Sequence, residues 1–191
     1  MKPDEAYWIG FMLADGCIVE GKNNTQDALQ LKLHERDFDH VRKFLLFLNV
    51  KNKIHHYPDR EECVVKVYDQ KWVDWFKSHG VIPRKTLVAT AYPSVRNSRD
   101  FYRGVFDGDG HLGRYGGTLH FEFYATLDVC NGLCDFLKKE LSINLEAKLK
   151  DGILYRVRAT GRNAVVILDW LYQPSDICLE RKERKFANNV V

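Results

Sequence analysis

The sequence predicts an α+β protein built as a tandem, pseudo-twofold repeat of two αββαββα units, with two antiparallel sheets and two central helices packed together. Three observations carry that prediction. First, Trp8-Ile9-Gly10-Phe11-Met12-Leu13-Ala14-Asp15-Gly16 returns as Tyr102-Arg103-Gly104-Val105-Phe106-Asp107-Gly108-Asp109-Gly110, 94 positions on. Second, Asp74-Trp75-Phe76 is echoed by Asp169-Trp170-Leu171 at an offset of 95, and Arg84-Lys85 by Arg181-Lys182 at 97. Ordered echoes at nearly one offset mark a duplicated unit. Third, each copy carries alternating apolar and polar residues at the matching place, the signature of a half-buried strand.

Each copy opens with a helix of about ten residues that ends at Asp-Gly. Two strands follow, the first alternating: Leu29, Leu31 and Leu33 face inward, with Gln30, Lys32 and His34 outward. Its counterpart turns Leu119, Phe121 and Phe123 inward and His120, Glu122 and Tyr124 outward. An amphipathic helix is expected over Phe38–Leu48 after an Asp37 cap, and over Val129–Leu141 after Asp128. A hairpin comes next, with Cys63–Val67 as its second strand in the first copy. In the second copy Ala147–Lys150 turns at Asp151-Gly152 into Ile153–Ala159. A last helix carries the repeated Trp. The halves are read as residues 1–90 and 99–191, joined by 91–98.

The 191 residues are 45% hydrophobic and 29% charged, which suits a folded chain and excludes a disordered one. No apolar run approaches the ~20 residues of a membrane span, and Met1-Lys2-Pro3-Asp4-Glu5 lacks the apolar stretch of a signal peptide. Five cysteines, an odd number at irregular spacing, argue for a reducing compartment. An intracellular location, cytoplasmic or organellar, is therefore expected. Net charge is only +3, so the placement of charges has to identify any nucleic-acid partner.

Taken alone, Asp-Gly is a turn signal, and Asp151-Gly152 is read that way. Asp15 and Asp109 differ, because the dipole at a helix carboxyl end disfavours a carboxylate by a few tenths to ~1 kcal/mol. Small residues spaced by four, Ala6, Gly10 and Ala14 in one helix and Gly104 and Gly108 in the other, allow close backbone approach. Side-by-side packing would bring the two carboxylates together, and adjacent carboxylates repel unless a cation sits between them. A hard divalent ion with oxygen ligands, Mg²⁺ above all or Mn²⁺, answers both the repulsion and the dipole. Such an ion can activate water and stabilise the leaving oxygen of a phosphodiester.

The two nine-residue segments resemble the motif of the LAGLIDADG homing endonucleases, in the form that carries both copies on one chain. The likeness is closest over Gly104-Val105-Phe106-Asp107-Gly108-Asp109-Gly110. The first copy departs from it at Leu13, where the family's sixth position is usually acidic. The resemblance implies two saddle-like sheets along DNA and Asp15 and Asp109 as catalytic metal ligands, helped by the backbone carbonyls of Ala14 and Gly108. It also implies one lysine per half, Lys85 and Lys182, polarising water or phosphate, and cleavage of both strands across the minor groove.

The outward sheet residues Gln30, Lys32, His34, Lys66, Tyr68, His120, Glu122, Tyr124, Lys148, Lys150, Arg156 and Arg158 form the expected DNA-binding set. Lys, Arg, Gln and Tyr on a β-surface can read base edges in a major groove while other basic groups meet phosphates. The two copies differ at these positions, so an asymmetric double-stranded target is expected. The full reading is a monomeric, Mg²⁺-dependent, site-specific double-strand endonuclease. An intron-encoded or free-standing enzyme is favoured over an intein, since no splicing signals flank the chain. The rival is a non-cleaving module of the same fold, an intron RNA maturase or a DNA-binding regulator; retention of both acids favours the nuclease.

Overall fold

The structure, a computed structural model, describes residues 1–21, 25–83, 89–174 and 177–190. Two four-stranded antiparallel sheets flank a pair of helices. In the first half α1 (Pro3–Ala14) leads into β1 (Gly16–Val19), β2 (Ala28–His34), α2 (Phe38–Leu48), β3 (His55–Tyr57), β4 (Glu62–Val67) and α3 (Gln70–Ser78). The second repeats this as α4 (Arg99–Asp109), β5 (His111–Tyr115), β6 (Thr118–Ala125), α5 (Leu127–Leu141), β7 (Lys148–Asp151), β8 (Leu154–Thr160) and α6 (Gly161–Tyr172). The strand orders β1-β2-β4-β3 and β5-β6-β8-β7 are identical in plan.

Helix α1 begins with Pro3 at its first turn, where a missing N–H costs nothing. It then buries eight consecutive residues, Ala6 to Leu13. A helix apolar all round belongs at a centre rather than on a surface. Its partner α4 is capped by Ser98, whose hydroxyl accepts the Phe101 N–H, and buries Phe101 to Asp107. The two helices meet through their glycines. A Cβ on Gly10 would fall on the Phe101 carbonyl oxygen, and one on Gly104 would fall on that of Tyr7. The small-residue spacing thus does what it predicts: the backbones touch where side chains are missing. Around them one continuous core draws on both halves, from Trp8, Phe44 and Phe76 to Phe121, Leu137 and Leu168.

Four local expectations change. The alternating strands are the second of each hairpin, not the first, because β1 and β5 start immediately after the Asp-Gly pairs. Helix α5 begins two residues before the expected Val129, with Thr126 at its cap position. Asp128 lies in its first turn and accepts from the Ala91 N–H and from Arg96. Asp37 does occupy the cap position of α2, but its carboxylate is taken by Arg181 rather than by helix N–H groups. Finally, among the described residues, the second half carries one more helix, α7 (Glu180–Val190), which holds the Glu-Arg-Lys run.

Candidate active site at the paired helix ends

Asp15 caps the carboxyl end of α1, its N–H donating to the Phe11 carbonyl at 2.9 Å. Asp109 is the last residue of α4. Both are exposed; Ala14 and Gly108 behind them are half-buried, and Leu13 and Asp107 are buried. The following glycines are required by space: a Cβ on Gly16 would strike Met12, and one on Gly110 would strike Phe106. Across the helix pair, a methyl placed on Gly108 would lie 3.5 Å from the Asp15 carboxyl carbon. The fold therefore brings Asp15 to the end of α4, where Ala14 faces Gly108 across the helix contact. A cleft of about 230 Å³, lined by Leu13, Ala14, Val105, Asp109, Tyr124 and Thr126 among others, opens beside Asp109.

Lys182, on the first turn of α7, reaches this end from behind. Its Nζ donates to the carbonyls of Phe106 at 2.6 Å, Gly108 at 3.1 Å and Gly110 at 2.6 Å. An ammonium has three donors, and three carbonyls take them. A cation here also opposes the negative end of the α4 dipole. Burial pushes the Lys182 pKa down to about 8, against the pull of the carboxylates Asp107, Asp15 and Asp109. The side chain is 6% exposed, so it braces the backbone beneath Asp109 rather than projecting into solvent. Lys85, its expected counterpart, lies outside the described residues.

Beneath Lys182 is a group that sequence reasoning passed over. Asp107 is fully buried and accepts from the hydroxyls of Tyr7 at 2.8 Å and Tyr172 at 2.6 Å and from the Leu179 N–H at 2.7 Å. Burial raises its pKa; Lys182 and these three donors oppose that rise. Tyr7 also meets His40 Nε2 at 3.0 Å. Since the tyrosine donates to Asp107, the imidazole must donate to the tyrosine. The available signals were the acid at the motif's sixth position and a lone tyrosine on each of two otherwise apolar helix faces.

The donor set at the helix ends suits a hard cation. Two exposed carboxylates and the Ala14 and Gly108 carbonyls are all oxygen, as Mg²⁺ or Ca²⁺ prefers. Gly108 already accepts from Lys182 but retains a second lone pair. Among the described residues no three His, Cys, Asp or Glu cluster to hold a metal, so water or phosphate oxygens would have to complete any coordination.

Most of the expected binding residues share the outer sheet faces. In the first sheet Gln30 pairs laterally with Lys66, Lys32 bonds Glu62 at 2.9 Å, and His34 lies 3.2 Å from Glu61. Tyr68 falls one residue past β4 and is exposed. In the second, His120, Glu122 and Tyr124 line β6, while Arg156, Arg158 and Lys148 stand beside them on β8 and β7. Lys150 sits where the β7–β8 register shifts. Glu122 lies on the same outer face, but its side chain is only 15% exposed and is held by its neighbours.

A pseudo-twofold pair of αββαββα units, joined through two glycine-packed helices with an acid at the end of each, is the LAGLIDADG homing-endonuclease fold in its single-chain, two-motif form. Solved structures place the chain there directly. A lysine-to-alanine mutant of I-SmaMI superposes with a TM-score of 0.71 at 9% identity, covering 100% of this chain and 90% of that one. I-DmoI in complex with DNA and Ca gives 0.68 at 14% identity, with 97% of each chain covered. The LAGLIDADG homing endonuclease I-GzeII in complex with its DNA target gives 0.65 at 13%, covering 100% of this chain and 89% of that one. No protein-family profile and no curated protein sequence matches the chain.

Proposed function

We propose that this chain is a site-specific DNA endonuclease that cuts both strands of an asymmetric duplex with the help of a divalent metal, Mg²⁺ or Mn²⁺. The observation that carries the reading is the placement of Asp15 and Asp109. Both are exposed carboxylates at the adjoining carboxyl ends of two helices in backbone contact, where the dipoles disfavour negative charge. A divalent cation held by the two acids would offset that cost, beyond what the Lys182 ammonium already offsets at the α4 end. Residues 1–90 and 99–191 would each contribute one carboxylate and one sheet, with 91–98 between them, so a monomer would suffice for two cuts. Bound metal would supply activation of water and stabilisation of the leaving oxygen. Asp15 and Asp109 would hold it, with the Ala14 and Gly108 carbonyls alongside. Lys182 would keep the α4 end rigid and positively biased, and Lys85 is proposed for the matching place in the first half. The lateral pair Gln30–Lys66 in one sheet and Arg156 with Arg158 along β8 in the other would face the grooves on either side. The solved I-DmoI complex with DNA and Ca supports a divalent ion in this fold.

The test is cleavage of a randomised long-duplex library with Mg²⁺, with sequencing of the ends. Asp15→Asn or Asp109→Asn should abolish double-strand cuts and leave duplex binding within a few-fold. Full cleavage by either variant overturns the metal-site assignment. Enriched binding without cut ends from the unaltered chain would instead favour the regulator or RNA maturase reading.

A further inference from the structure

The two sheet faces are unlike in one respect that bears on recognition. None of the strands β1–β4 contains an arginine, and the first face offers Gln30, Lys32 and Lys66, with Lys32 already tied to Glu62. The second face carries Arg156 and Arg158, two residues apart on β8 and so on the same side of the sheet. Across the ladder Glu122 stands opposite Arg158, and Tyr124 opposite Arg156.

Glu122 is built into its place. Its Oε2 accepts the Tyr124 hydroxyl at 2.6 Å. Its Oε1 lies 3.4 Å from Arg156 Nη1 and 3.5 Å from Arg158 Nε. Arg158 Nη2 also meets His120 Nδ1 at 2.8 Å, and the His120 ring abuts Tyr115 edge to face at 5.0 Å between centroids. Burial would raise the Glu122 pKa, but the Tyr124 hydroxyl, Arg156 and Arg158 outweigh it and hold the carboxyl below its usual range. One largely buried carboxylate thus grips two guanidiniums by one edge each. Each guanidinium has five N–H donors in a rigid fork, so contacts through one nitrogen of Arg156 and two of Arg158 leave further donors on each. A bidentate fork suits the O6 and N7 acceptors of guanine, whereas a lysine acts as a point charge better suited to phosphate.

We infer that Glu122 is a positioning residue that holds Arg156 and Arg158 as a preset pair of guanine readers, making the β5–β8 sheet the more stringent of the two at G·C pairs. This rests on the DNA-binding reading above. It assigns Glu122 no contact with a base.

Duplex selection from a randomised library with Ca²⁺ in place of Mg²⁺ tests it without requiring cleavage. Arg156→Ala and Arg158→Ala identify the base pairs each arginine reads, as positions where preference for guanine collapses by about tenfold or more. Glu122→Gln should relax guanine preference at those same positions several-fold, leaving preference at other positions unchanged. Tyr124→Phe, which removes one restraint on Glu122 while keeping its charge, should relax them less. The inference is overturned if Glu122→Gln weakens binding equally for all sequences, or if the arginine positions prefer a base other than guanine. It also fails if Tyr124→Phe and a folded Glu122→Gln both leave those positions untouched. Absence of any enriched duplex with the unaltered chain would overturn the DNA-binding reading itself, a result distinct from all of these.

Discussion

Tyr7 in the first motif helix donates its hydroxyl to Asp107 in the second at 2.8 Å, so the two halves share a buried hydrogen bond directly behind the candidate metal site. Asp107 accepts two further donors, from Tyr172 and the Leu179 N–H, the latter at the start of the segment that delivers Lys182. The carboxylate therefore links α1, α4, α6 and the approach to α7. Asp107→Asn would turn an amide N–H₂ toward groups that are themselves donors. Leaving buried donors unmatched costs about 1–3 kcal/mol each, so this variant should lose more stability in urea than Tyr7→Phe. The reverse order would mean that the carboxylate is not the centre of the network.

The glycine contacts predict a sharp contrast. Gly10→Ala or Gly104→Ala places a methyl on a backbone carbonyl of the partner helix, and neither backbone can yield without separating α1 from α4. A loss of about 3 kcal/mol or more is expected, at the upper end for overpacking. Gly116→Ala meets nothing within 4 Å, and its φ of +55° adds only the left-handed penalty of about 1 kcal/mol. Thermal unfolding of the three variants checks the ranking. Equal losses would show that the helix contact is not tight in solution.

These glycines also show what was legible in the sequence. The repeat, the helix pairing and the Asp15–Asp109 placement all follow from local spacing and self-similarity, which a sequence displays openly. What stayed hidden depends on partners far along the chain. Tyr7 meets Asp107 across 100 residues, and Arg181 meets Asp37 across 144. No periodicity encodes such pairs. Helix α7 was obscured because the Glu-Arg-Lys run shows no apolar stripe, and the three carbonyls of α4 and its end that Lys182 bonds lie more than 70 residues away in sequence. β1 was missed because four residues, following a fully buried helix, are too few to display alternation.

The Asp37–Arg181 pair gives a third prediction. Arg181 Nε and Nη2 donate to the Asp37 carboxylate at 3.0 and 3.1 Å, with Asp37 buried and Arg181 about one-third exposed. It ties α7 to the first half, as does Lys43 to Glu180 at 2.9 Å. A double-mutant cycle of Asp37→Ala with Arg181→Ala should return a coupling of about 1–3 kcal/mol, as for residues sharing a hydrogen-bonded ion pair. The exposed Arg184–Glu180 pair should give under about 0.5 kcal/mol, as i,i+4 helix pairs do. Equal couplings would count against α7 as a strap between halves.

Acid sensitivity should trace to His40. Burial, with Lys43 nearby, pushes its pKa down to about 3 from 6.5, so the folded chain keeps the ring neutral. As pH falls below about 6.5 the unfolded chain takes up a proton that the folded chain refuses. Stability is therefore full above that pH and declines toward pH 3, by up to about 1.4 kcal/mol per pH unit. Asp107, whose pKa burial raises, acts in the opposite sense above its unfolded value of about 4, so it opposes this limb and cannot produce it. Urea unfolding between pH 7 and 4 should slope down in the unaltered protein and flatten in His40→Phe. An unchanged slope in the variant would place the acid sensitivity elsewhere.

Removing the Lys182 charge should move two observables in opposite directions. Lys182→Met strips three carbonyls at the end of α4 of an ammonium donor and leaves the helix dipole unopposed there. Stability should fall by about 2–4 kcal/mol, as for a lost charged hydrogen-bond network. The same substitution deletes a positive charge close to Asp15 and Asp109, whose fields both act on Lys182. Repulsion toward an incoming cation drops, and the Gly108 carbonyl is released from its bond to Nζ. Calorimetric titration with Ca²⁺ should therefore show tighter binding in the variant, even as urea unfolding shows a weaker fold and the cleavage assay a slower enzyme. Were Lys182 a structural plug alone, cation affinity would fall together with stability. Opposite signs arise only if the ammonium acts on the cation site itself, through its charge near Asp15 and Asp109 or its hold on the Gly108 carbonyl.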